Sequence, residues 1–222
     1  MSAVLRRFGP AVVLARTDLL ALPTAGVLFL IGFLLRGPLA TSTDQLALAS
    51  ARPAYDFAWL LLVLGSVSAS LGGLGLYRLL SDGRQEQIAR WALRASVAAW
   101  VLEAALQGVY ALLGSTAGDP SIAAGVLSAF TAIPNFLVLF FFEGALGLAG
   151  GLLFGQAIWR SGALPRWVAA AYAPHIILLN NTGGASFAGQ ILGALCLLFA
   201  GIGIAATAWS ATPGKHGGTR NL

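Results

Sequence analysis

Three ionisable side chains stand inside long apolar stretches of this chain: Glu103, Glu143 and His175. A charged group in the middle of a membrane-spanning helix costs about 2.5–3.5 kcal/mol on insertion scales, so an intramembrane ionisable residue is by default a candidate for a site. At about 100° per residue, Ser96, Trp100, Glu103, Gln107 and Tyr110 fall on one stripe with 4-3-4-3 spacing, which a helix would turn toward the interior of a bundle. Glu143 shares a helical face with Gly147, Gly150 and Gly151, and Gly147, Gly151 and Gly155 make two successive G-x-x-x-G steps, so its carboxyl is expected to face another helix. His175 follows Pro174. An imidazole exchanges protons near neutral pH when its surroundings leave it unperturbed. At 1.5 Å per residue from Trp167, Trp91 and Trp159, these groups lie roughly 12 Å (His175), 18 Å (Glu103) and 24 Å (Glu143) along their helices.

Such a ladder, with Thr24, Ser66, Ser68 and Ser70 nearby, fits a proton or cation pathway or a buried pocket for a polar ligand. The competing reading is structural, with each group neutral and hydrogen-bonded to a neighbouring helix. Two carboxylates and an imidazole would suit zinc or iron, but no H-E-x-x-H or related spacing is present, so neither metal nor cofactor is assigned. No catalytic residue is assigned either. Cys196, within Leu195–Leu198, reads as buried and inert, and there is no phosphate-binding glycine loop.

The elements that position these residues follow from composition. The chain has 222 residues, of which 58% are hydrophobic and only 9% charged. A soluble domain carries about 25% charge, so neither a globule in water nor a disordered chain is compatible with these numbers. The fold class is all-α, a polytopic membrane protein. Six spans are expected, at 19–35, 57–80, 91–113, 135–159, 167–179 and 185–209. The fifth is short, and a re-entrant or interfacial segment is its alternative. The expected organisation is an N-terminal lead-in over 1–18, a helical bundle over 19–209 and a disordered tail over 210–222. Residues 37–56 form one long loop. In the other, Ser121–Ile133 reads as an interfacial helix leading into Pro134.

Charge orients the bundle. Of thirteen Lys and Arg residues, all but Arg36 and Arg52 fall on one side of a six-span topology. The positive-inside rule makes that side, and both termini, cytoplasmic. This pattern requires the fifth segment to cross. It also accounts for the net charge of +5 without nucleic acid. Trp91, Trp159, Trp167 and Trp209 sit at the same ends, as an aromatic belt does, while Trp59 and Tyr55 mark the opposite boundary. The lone cysteine excludes an internal disulfide.

The turn Arg160-Ser-Gly-Ala-Leu-Pro-Arg-Trp167, the segment Leu76-Tyr77-Arg78-Leu79-Leu80 and the glycine-rich fourth span resemble a bacterial family of small six-helix membrane proteins catalogued as a domain of unknown function. The likeness covers roughly residues 20–209. It implies the six-helix fold and carries no activity and no site residue; the expected location is a bacterial plasma membrane.

Three functions remain in order of support. The first is a small transporter or ligand-binding membrane protein whose polar site uses Glu103, Gln107, Glu143, His175, Trp100 and Tyr110. The second is an accessory or scaffold protein whose glycine faces pack partners or copies of itself. A lipid-active enzyme comes last, because no nucleophile or metal motif is visible. The expected surroundings are the lipid bilayer, with anionic headgroups at the basic face and a homo-oligomer as a further possibility.

Overall fold

Long apolar runs with few breakers satisfy their backbone hydrogen bonds internally by becoming helices, and every regular element among the described residues is one. The computed structural model describes residues 11–38, 52, 54–81, 85–116, 125, 134–179 and 186–210. Its helices are α1 (Ala11–Arg36), α2 (Tyr55–Leu80), α3 (Glu86–Thr116), α4 (Pro134–Ser161), α5 (Arg166–Leu179) and α6 (Phe187–Ser210). Five are long and apolar enough to cross a membrane, and α5, at 14 residues, is not among them. No glycine or proline separates Ala11 from Pro23, and α1 runs unbroken from Ala11. The expected interfacial helix over 121–133, most of the loop 37–56 and the tail lie outside the described residues.

The helices close into a ring. Each packs on the next in chain order, and α6 returns to pack on α1. Neighbours run antiparallel, as the close approaches show. Along the α1–α2 seam, Gly32 meets Leu62, Gly65 meets Phe29 and Gly72 meets Leu22, so one index rises as the other falls. The seam that closes the ring is the tightest in backbone terms. A Cβ at Gly26 would stand 2.6 Å from Leu198 Cα, and one at Gly201 would stand 2.5 Å from Pro23 N. Small residues allow this approach.

The glycine ridge of α4 serves both of its neighbours inside the chain. A Cβ at Gly150 would lie 2.8 Å from Ser96 N on α3, and one at Gly155 would lie 2.8 Å from Ala173 Cβ on α5. The outward faces are apolar, with Phe141, Leu112, Val138 and Val101 among the most exposed side chains. Trp91, Trp159, Trp167 and Trp209 stand exposed together at one end of the ring. Arg94 lies over Trp91 and Arg166 over Trp159 at that end. Two ion pairs, Asp18–Arg78 between α1 and α2 and Glu86–Arg90 within α3, decorate the same end.

Candidate functional site: a polar layer inside the ring

The i, i+3, i+4 spacing on α3 does turn its polar stripe inward. Ser96, Trp100, Glu103 and Gln107 are buried, and Tyr110 is half-buried. Gln107 Nε2 donates to Glu103 Oε1 at 2.8 Å, one helical turn away. Its oxygen accepts from Ser66 Oγ on α2 at 3.2 Å. The amide therefore spans two helices with its donor toward the carboxyl and its acceptor toward the hydroxyl.

Trp100 stacks between Phe29 of α1 at 5.4 Å and the His175 ring of α5 at 6.1 Å. Glu143 is buried on α4. It lines a cavity with Phe29, Phe33, Trp100, Glu103, Ile176 and Leu179, of about 10 Å³, enough for roughly one water molecule. Both carboxyls thus face one small interior space. His175 Nδ1 donates to the Tyr172 carbonyl, which can only accept, so Nδ1 carries the proton. Its Nε2 is buried with no hydrogen-bond partner among the described residues. Tyr110 does not line this cavity and stacks on Trp59 of α2 at 5.2 Å with ring planes 8° apart.

The residue that sequence reasoning missed is Arg36. As one of two basic residues outside the main cluster, it reads as a loop-facing charge at the end of α1, yet only 1% of it is exposed. Gly37 ends the helix in the left-handed region, at φ +76°, and its N–H donates to the Phe33 carbonyl, a glycine cap of the usual kind. The Arg36 side chain folds back into the ring. Its Nη2 donates to Gln190 Oε1 on α6 at 2.6 Å and its Nε to the Gly37 carbonyl at 3.1 Å. Its Cζ lies 5.1 Å from the Phe33 ring centre and 5.2 Å from that of Trp59. Tyr55, Glu103 and Tyr110 lie within electrostatic reach.

Among the described residues no carboxylate pairs with Arg36, and its Nη1 has no hydrogen-bond partner. Trp59 and Tyr55 lie in the first turns of α2, at the end of the second span where the sequence places them. Trp59 is 0% exposed and Tyr55 is 3% exposed, and both turn into the ring rather than toward its rim. Gln190 gave a weak signal as a lone amide in an apolar run. Cys196 is half-buried rather than buried.

Every helix of the ring therefore supplies a buried polar side chain: Arg36, Ser66, Glu103 with Gln107, Glu143, His175 and Gln190. Cross-helix contacts place them between the levels of Phe29 and Arg36 on α1, about 10 Å of rise. No group of three or more His, Cys, Asp or Glu among the described residues is placed to hold a metal. The arrangement is that of an all-helical, multi-pass type of chain with a polar layer in an apolar ring. Comparison with protein-family models, curated proteins and solved structures gave no match.

Proposed function

We propose that this chain is a six-span protein of a bacterial plasma membrane, with both termini cytoplasmic, that binds or transports a small polar ligand in the layer around Glu103. One observation carries the reading. Six helices each bring a buried polar group into a band of about 10 Å of rise in a mainly apolar interior. Buried polar groups are costly unless satisfied, and a layer this concentrated is retained for what it holds.

In this reading the exposed apolar flanks face lipid, and the four exposed tryptophans form the cytoplasmic belt, with Arg94 and Arg166 suited to anionic headgroups. The short α5 crosses with local thinning of the bilayer. The family resemblance noted on the sequence belongs to the same proposal. The scaffold alternative loses its main support, because the α4 glycines are already occupied by α3 and α5 of the same chain. The cavity that Glu103 and Glu143 line holds only about one water, so a larger solute needs the surrounding side chains or helices to part. Native mass spectrometry of the protein in nanodiscs tests the reading. A small molecule carried by the wild type and lost in Glu103→Gln supports it, and identical lipid-only spectra for both contradict it.

A further inference from the structure

We propose that Arg36 anchors an anion site, and that the ligand of the polar layer carries a single negative charge of the carboxylate class. This rests on the reading that the layer binds a ligand, and it adds the ligand's charge and the group that meets it.

The guanidinium is buried, and burying a cation without a counter-charge is among the most costly arrangements in a protein interior. Two of its three nitrogens are committed, to Gln190 and to the Gly37 carbonyl, and both partners are neutral. These bonds hold the fork in one orientation, and the Glu103 carboxyl faces its charge only at longer range, not as a paired partner. Nη1 remains as a donor without a partner among the described residues. Phe33 and Trp59 wall the guanidinium, and Phe33 also lines the cavity that reaches Glu103 and Glu143. The Phe33 ring therefore lies between the cation and the cavity of the two carboxyls.

The ligand class follows from the number of buried cations. One buried guanidinium, with no second buried basic side chain beside it among the described residues, matches one negative charge and not a doubly charged phosphate. Arg52, exposed, donates from Nη1 to the Arg36 carbonyl at 3.1 Å, so a second guanidinium stands at the C-terminus of α1 and adds positive potential there.

The test is a titration of the full-length protein in zwitterionic-lipid nanodiscs, read by intrinsic tryptophan fluorescence, since Trp59 touches the guanidinium. The probes are sodium acetate, sodium benzoate, inorganic phosphate and tetramethylammonium chloride at constant ionic strength. A saturable response to a monocarboxylate, weakened about tenfold or more in Arg36→Gln, is the expected result. Arg36→Lys, which keeps the charge, is expected to retain part of the affinity and covers the case in which Arg36→Gln fails to fold. A saturable response to tetramethylammonium alone would overturn the anion inference and leave the ligand-binding reading standing. A response to phosphate alone would overturn the monoanion class. No saturable response of the wild type to any probe would overturn the inference and count against the reading beneath it.

Discussion

Arg36 on the first helix and Gln190 on the last are joined by a hydrogen bond of 2.6 Å across 154 positions of sequence, where α6 closes the ring onto α1. A charge-assisted bond of this kind is worth about 1.5–3 kcal/mol, and truncating one partner leaves the other buried and unpaired. Gln190→Leu is therefore expected to lower stability by about 2 kcal/mol. The double variant Arg36→Met/Gln190→Leu should cost less than Gln190→Leu alone, because it leaves no orphaned charge. Thermal denaturation in detergent of the two variants and the wild type reads this directly.

The Gln107 amide makes a parallel case on α3. Gln107→Leu removes the donor to Glu103 and the acceptor for Ser66 at once. A loss of about 1–3 kcal/mol is expected. Ser66→Ala should cost less, since its hydroxyl also has the Leu62 carbonyl at 3.3 Å as a local partner and the amide oxygen alone is left short. Both follow from denaturation midpoints under one set of conditions.

Glycine positions separate packing from everything else. Gly150→Leu drives a side chain into the α3 backbone at Ser96 and is expected to cost at least about 1–3 kcal/mol, the usual range for overpacking. Gly108 sits mid-helix with nothing within 4 Å of where a Cβ would stand. Gly108→Ala is expected to be neutral or to stabilise by up to about 1 kcal/mol through helix propensity. Expression level and melting temperature of the pair provide the check.

The crossing of α5 can be read by topology reporters. Alkaline phosphatase fused after residue 181 should be active, and green fluorescent protein fused after residue 222 should fluoresce. Activity of a phosphatase fused after residue 222 would instead place that end outside and remove the fifth span.

Much of this was legible in the sequence. The 3.6-residue period carried Trp100, Glu103 and Gln107 onto one face, because helical geometry alone sets that relation. The six helices were also readable, five of them from apolar length and the short fifth from the distribution of Lys and Arg. Arg36 was not readable. A basic residue before Gly37-Pro38 normally turns out to the headgroups, and only the placement of Gln190 and Trp59 opposite it draws the side chain inward. Tyr110 fell on the stripe but packs on Trp59, because above Glu103 the stripe faces α2, where Gln107 already meets Ser66. The order of helices around the ring was equally hidden, as it depends on which seams pack and not on any one span.

The most direct measurement is native mass spectrometry of wild type, Glu103→Gln and Gly108→Ala prepared side by side in native nanodiscs. The polar-layer account predicts one small-molecule species on the wild type and on Gly108→Ala, absent from Glu103→Gln although that variant is folded by its melting curve. The same species on all three folded proteins, or bulk lipid and nothing else on each of them, would contradict it.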